Sequence, residues 1–228
     1  VAYSPQQAEA VRAAAVSRLL IVTGGPGTGK TTILRGILDL FSRMELRALL
    51  AAPTGRAAKR LQEVTGQEAS TIHRLLESQL DPATGQLIFT RDEDNPLKAH
   101  AVIVDETSMV DLPLLASLLR ALPTGCRLIL VGDPDQLPPV VPGCPLSDIL
   151  RSGVVPAVRL TEIFRQAQES LIVMNAHRVN SGVMPDLKTV TSDFFFLRRR
   201  TEEAVASTIG DLRSEEHTSE LQSHTSIS

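Results

Sequence analysis

Nine consecutive residues, Gly24-Gly25-Pro26-Gly27-Thr28-Gly29-Lys30-Thr31-Thr32, carry a pattern suited to holding phosphate. They fit G-x-x-x-x-G-K-[ST]. Glycines let the chain curl, so successive N–H groups can point inward at phosphate oxygens. The Lys30 ammonium suits the β- and γ-phosphates, and the Thr31 hydroxyl suits Mg²⁺. Gly25, Pro26, Gly27, Thr28, Gly29, Lys30, Thr31 and Thr32 are therefore candidate nucleotide-binding residues, with ATP as the expected ligand. The alternative is a glycine-rich turn with a chance lysine. The apolar run Leu19-Leu20-Ile21-Val22 before it and the helical pattern after it argue against that.

A second group can act on what the first group holds. Asp105-Glu106 ends an apolar run, an arrangement in which Asp105 holds Mg²⁺ and Glu106 polarises an attacking water. An acidic turn is the plain alternative. Gln136 follows another apolar run, and its amide can bond a γ-phosphate or the water. Arg165 could reach the phosphates and stabilise developing charge, or simply pair with Glu162. Gln7 can complete a capping box begun by Ser4, or read adenine, since its amide both donates and accepts.

These groups need strands and helices to position them. Near-continuous apolar runs at residues 19–22, 46–52, 100–104, 127–131 and 158–160 predict buried strands. Helical patterns fall between them, at residues 8–16, 30–43, 57–64, 112–122 and 146–152. The alternation predicts an α/β fold, a parallel sheet with helices on both faces, with ligands at the carboxyl ends of the strands. The acidic pair is expected on a strand neighbouring that of the phosphate loop. Residues 70–76 suggest a capped helical turn, and residues 80–97 a small hairpin insertion around the turn Asp81-Pro82-Ala83-Thr84-Gly85. Thr54, Arg56, Lys59, Thr71 and His73 follow strand ends on the remaining edge. Hydroxyls and cations there suit a nucleic-acid backbone, though they also suit ordinary polar loops. Beyond Gln166 come a helix at 171–179, a strand at 193–197 with three phenylalanines, and a helix at 202–212. The expected division is a motor-like domain over 1–166 and the start of a second over 167–212.

The bulk composition is that of a soluble globular protein, 43% hydrophobic and 21% charged. A net charge of −3 gives no global basic signal, which leaves room for a local basic groove. Cys126 and Cys144 have neither metal-ligand spacing nor a paired framework, so a reducing, cytoplasmic setting is expected. No signal peptide or apolar run of membrane-spanning length is evident. Aromatic content of 3% is too low for a continuous base-stacking platform.

Taken in order, Ser4-Pro5-Gln6-Gln7, the phosphate loop, Ala51-Ala52-Pro53-Thr54-Gly55-Arg56-Ala57-Ala58-Lys59-Arg60-Leu61, Thr71-Ile72-His73-Arg74-Leu75-Leu76, Val104-Asp105-Glu106-Thr107-Ser108-Met109-Val110-Asp111, Val131-Gly132-Asp133-Pro134-Asp135-Gln136-Leu137-Pro138 and Glu162-Ile163-Phe164-Arg165-Gln166 resemble the RecD-like superfamily 1 DNA helicases. The resemblance runs from about Tyr3 to Leu212. It implies a RecA-like first motor domain that couples ATP hydrolysis to 5′–3′ movement on single-stranded DNA and to unwinding at single-strand/duplex junctions. It implies Gln7 as the adenine reader, with Gln6 one residue away. Lys30, Asp105, Glu106, Gln136 and Arg165 are implied as catalytic, and Thr54, Arg56, Lys59, Thr71 and His73 as DNA-facing. The 81–90 segment corresponds to a strand-parting pin. Repair or recombination proteins, such as a single-strand-binding protein, are open as partners. Two other readings stand beside it: a RecD subunit of a multi-subunit exonuclease, and a nucleotide-binding switch that does not translocate. Backbone contacts alone barely separate DNA from RNA.

Residues 213–228 resemble a translated sequencing adapter and are expected to be a non-native, disordered tail without function. The family's N-terminal region and most of its second motor domain are expected to be missing. Residues 1–212 alone are therefore expected to bind nucleotide weakly, hydrolyse it slowly and unwind nothing. An ATPase assay with and without single-stranded DNA checks this, and robust DNA-stimulated turnover is the contrary result.

Overall fold

In the computed structural model, residues 3–82, 84–139 and 143–225 are described, and the side chains of Arg165, Gln166 and residues 214–225 lie outside that description. The chain divides into two compact units, Val1–Met184 and Pro185–Ser228.

The first unit opens with α1 (Pro5–Val16), capped as the sequence suggests: Ser4 and Gln7 close a reciprocal capping box, and Pro5 sits at N1. Then follow β1 (Leu19–Gly24), α2 (Lys30–Arg43), β2 (Ala48–Ala52), α3 (Gly55–Thr65), β3 (Ala69–Thr71) and α4 (Ile72–Leu75). A hairpin of β4 (Ser78–Leu80) and β5 (Leu87–Phe89) stands apart from the main sheet. The chain re-enters the sheet with β6 (Ala101–Val104), then α5 (Leu112–Arg120), β7 (Arg127–Gly132), α6 (Pro145–Ser152) and β8 (Ala157–Leu160). Two short helices, α7 (Arg165–Gln168) and α8 (Leu171–Asn180), complete it.

Six parallel strands run in the order β3-β2-β6-β7-β1-β8. Side chains alternate across a strand, so a sheet covered on both faces needs apolar residues at every position. Leu20, Val22, Ile103, Ile129 and Val131 enter one core cluster with α1 and α2; Ile33, Leu34, Ile37 and Phe41 are its helical half. Ile21, Val102, Val104, Leu128 and Leu130 enter the other, against Leu114, Leu115 and Leu118 of α5.

The sequence expectations need four adjustments. Strand β3 was expected as the front of a helical turn. Its Ala69-Ser70-Thr71 is too short and too polar to announce a strand, and pairing with β2 makes it one. Residues 193–197 were expected as a strand and carry no ladder. A strand needs a partner edge, and among the described residues the second unit contributes only α9 (Glu202–Thr225). The compact first unit runs on past Gln166 to Met184, because α7 and α8 pack back onto it.

A fourth adjustment bears on the site. The strands of the phosphate loop and of the acidic pair are not neighbours, since β7 lies between them. Thr107, just beyond β6, ties that arrangement together. Its buried hydroxyl lies 3.1 Å from the Val104 carbonyl and 2.8 Å from that of Val131, bridging the ends of β6 and β7.

Replacing Thr107 by Val keeps the shape and removes the one hydroxyl proton that the Val104 and Val131 carbonyls share. A loss of about 2 kcal/mol is expected, the scale of unmet buried polar groups. Urea unfolding measures it, and an unchanged midpoint would remove Thr107 as the tie.

Candidate active site

The phosphate loop leaves β1 and turns into α2 through Gly29, which caps the helix in the left-handed region at φ 80°. A Cβ there would lie 2.4 Å from Gln7 Nε2 and 2.8 Å from the Phe164 ring. Glycine is required at this spot for backbone angle and for room alike. Thr28 turns inward and donates to the Gly25 carbonyl at 2.8 Å. Lys30 folds over the loop, donating to the carbonyls of Gly24 and, at 3.2 Å, Gly25. An ammonium has three donors, so one remains for the cleft. The amides of Thr32 and Ile33 close onto the Gly29 carbonyl at 3.0 and 3.2 Å, and a helix's first N–H groups and its positive end point the same way.

Gly25, Pro26, Gly27, Thr28, Gly29, Lys30, Thr31 and Thr32 line one cleft of about 750 Å³ together with Asp105, Glu106 and Gln136. Groups separated by more than one hundred residues thus share a single space.

The acidic pair is held in an unusual conformation. Glu106 sits at φ 53°, left-handed without being glycine. Such strain persists only where the surroundings impose it. Its amide donates to Asp105 Oδ1 at 2.9 Å, which anchors the first carboxylate. Glu106 Oε2 is buried without a hydrogen-bond partner. A buried carboxylate oxygen that accepts nothing from the protein can accept from a water or a ligand in the cleft. Asp105 titrates above the ordinary range, chiefly because burial disfavours its charge. The neighbouring Glu106 charge adds to that, whereas the Glu106 amide, Lys30 and Arg60 oppose it.

Gln136 is exposed in the turn after β7, where its amide donates to the Asp133 carbonyl at 3.1 Å. Asp133 itself is buried, and its carboxylate receives the Asp135 amide at 3.1 Å. Gln7 is buried, and its Oε1 accepts from the Ser4 amide, so only its Nε2 faces the loop. Gln6 points elsewhere, exchanging two 2.9 Å bonds with Thr161 beyond β8. Arg165 opens α7, but its side chain lies outside the described residues.

The second group of sequence candidates lies at the other edge of the sheet. Ala52 of β2 pairs with Thr71 of β3, so Thr71 ends one strand and Thr54 follows the end of its neighbour. Both hydroxyls are helix N-caps, accepting from Ala57 and Arg74 at 3.2 and 3.1 Å. Arg56 and Lys59 are exposed, and His73 tilts against Phe89 of the hairpin with ring centroids 5.8 Å apart. None of these five lines the cleft.

The cleft also contains residues that the sequence reading passed over. Arg60 lines it with Ala57, Leu61 and Val64, a face of α3 at helical spacing. That spacing was legible, but nothing local said which face looked toward phosphate. Phe164 donates its amide to the Gly27 carbonyl at 3.1 Å and covers Gly29 with its ring.

A family model described as AAA domain matches residues 7–142. The ATP-dependent RecD2 DNA helicase of Deinococcus radiodurans is 43% identical over 182 residues, 80% of this chain and 24% of that protein. The RecBCD enzyme subunit RecD of Mycolicibacterium smegmatis is 40% identical over 168 residues, 64% of this chain and 30% of that protein. The chain thus spans about a quarter of the length of such curated relatives. Pif1 helicase from Candida albicans is similar in structure, with a TM-score of 0.59 at 25% identity over 82% of this chain and 46% of that one. Bacteroides Pif1 bound to single-stranded DNA has a TM-score of 0.57 at 23% identity over 92% of this chain and 55% of that one, a likeness of fold.

Because burial lifts the Asp105 pKa above its ordinary 3.8, the folded chain holds this proton more tightly than the unfolded chain. That contribution to stability is present below the unfolded value and is lost as pH rises through the folded one. Asp105→Asn removes the loss. It is expected to raise the urea midpoint at neutral pH, with the gain vanishing as pH falls below the unfolded value. Equal midpoints at neutral pH would show that Asp105 is not desolvated.

Proposed function

The chain belongs to the AAA domain family and has the motor domain of a RecD-like superfamily 1 helicase, and on that basis we propose that it hydrolyses ATP to drive 5′–3′ movement on single-stranded DNA and to open single-strand/duplex junctions. The observation that carries this reading is the shared cleft of Lys30, Asp105, Glu106 and Gln136.

In this reading the loop amides and Lys30 grip the β- and γ-phosphates, and α2 turns its positive end toward them. Thr31 and Asp105 are hard oxygen donors that fit Mg²⁺, which takes one or two protein oxygens plus substrate phosphates. Bound there, the ion would neutralise charge between the β- and γ-phosphates. Glu106 Oε2, buried and unpartnered, accepts the proton of the attacking water as the Pγ–O bond to ADP breaks. Gln136 orients that water and registers the third phosphate. Arg165 and Arg60 are cations available to the transition state. Gln7 contacts the adenine side through Nε2.

DNA is proposed to run over the ends of β2 and β3, along Thr54, Arg56, Lys59, Thr71 and His73. Backbone amides, hydroxyls and exposed cations there position a phosphate chain. The hairpin of β4 and β5 is proposed as the pin. The segment after Met184 is proposed to open a second motor domain, and residues 213–228 to be non-native. A cytoplasmic protein is proposed; no described helix is long and apolar enough to cross a membrane. The same residues serve the motor whether it works alone or as a subunit of an exonuclease.

In the gene product expressed in full, Lys30→Ala is expected to lose nucleotide binding and ATPase with the fold kept. Glu106→Gln is expected to keep nucleotide binding while turnover falls about a hundredfold or more, the usual scale for a lost general base. DNA-stimulated phosphate release and circular dichroism check both, and normal turnover by either variant excludes its role.

A further inference from the structure

One face of α8 reaches two of the loops that line the cleft. His177 and Asn180 lie three residues apart, so they project from the same side of the helix. His177 Nε2 lies 2.9 Å from the Pro26 carbonyl oxygen. A carbonyl only accepts, so Nε2 carries the proton and donates. The imidazole also turns its Cε1 edge toward the loop, since a Cβ at Gly25 would sit 2.9 Å from Cε1. Asn180 Nδ2 donates to Asp135 Oδ2 at 2.8 Å. Asp135 directly precedes Gln136, and its own amide is anchored on Asp133. One turn earlier on α8, Val173 lines the cleft itself.

We propose that α8 is a strap in which His177 and Asn180 are positioning residues for the phosphate loop and the Gln136 loop respectively. The proposal rests on the nucleotide reading of the cleft given above. Holding the Pro26 carbonyl outward keeps an oxygen lone pair from turning toward bound phosphate. The loop amides then remain the groups that face inward. Holding Asp135 fixes the stem from which Gln136 reaches the third phosphate. Both bonds spring from one rigid helical turn, so displacement of either loop is transmitted to the other.

The two contacts have different signatures. Every nucleotide uses the phosphate loop, whereas only a triphosphate meets Gln136. Fluorescent ADP and a fluorescent non-hydrolysable ATP analogue are titrated into the full chain, with Mg²⁺ present. His177→Ala is expected to weaken both by about fivefold, the scale of one ordinary hydrogen bond. His177→Gln, whose amide can donate from a similar position, should recover most of that loss. Asn180→Ala, at an exposed site, should leave ADP affinity unchanged and weaken the triphosphate analogue about fivefold. Lys30→Ala is the control. If it binds both nucleotides normally, the cleft reading fails and the strap fails with it. If Lys30→Ala abolishes binding while His177→Ala and Asn180→Ala bind both ligands normally, the cleft stands and the strap is overturned. Equal weakening by His177→Ala and His177→Gln, with lowered melting temperatures, would mean plain packing and would also overturn it.

Discussion

Two strand spacings separate the phosphate loop from the acidic pair, and that gap determines what the cleft can hold. Neighbouring strands lie about 4.8 Å apart, so with β7 between them β1 and β6 end about 9.5 Å from each other. A terminal phosphate and a water fit between such ends; on adjacent strands the carboxylates would crowd the loop. Strand β7 also contributes its own terminus, the turn that bears Gln136. Because all six strands run parallel, loop, acids and amide emerge on one edge. The Thr107 hydroxyl, bonded to the Val104 and Val131 carbonyls near the ends of β6 and β7, ties that edge together.

Within this frame the chemistry depends on groups left incompletely satisfied. Glu106 is held left-handed, and one of its carboxylate oxygens is buried without a partner. Asp105 is desolvated enough to hold its proton more tightly than a free carboxylate. Each of these features costs stability, and the two cores on either side of the sheet offset it. Lys30 is close enough to temper the Asp105 charge while bonded to the loop's own carbonyls. The cleft thus gathers one ammonium and two carboxylates, one of them with an unbonded oxygen, into a single space.

The collar around the phosphate loop comes from both ends of the first unit. Gln7 approaches Gly29 from α1, and Phe164 covers it from the segment after β8. Helix α8 then reaches Pro26 and Asp135. This explains why the compact unit extends to Met184. The residues after Gln166 carry no apolar strand to mark them as part of the sheet domain, yet their contacts are with its loops.

Much of this was legible in the chain itself. The glycines and Lys30 identify a phosphate loop, because only that composition lets backbone amides converge on an anion. Apolar runs ending in Asp105-Glu106 and before Gln136 identify parallel strands, because a sheet buried on both faces admits no polar alternation. Ser4 and Gln7 identify the start of α1, since capping is a bond between residues three apart. Other features depend on contacts between distant segments. Strand β3 exists by pairing with β2, and residues 193–197 lack the partner that would make them a strand. The position of β7 between β1 and β6 is a matter of topology, which no local pattern encodes. Arg60 and Phe164 line the cleft, and His177 reaches the phosphate loop, because of how their helices and loops pack. Local bonding can be read from neighbouring letters; which side chains from separate elements share a space is decided only when the chain closes on itself.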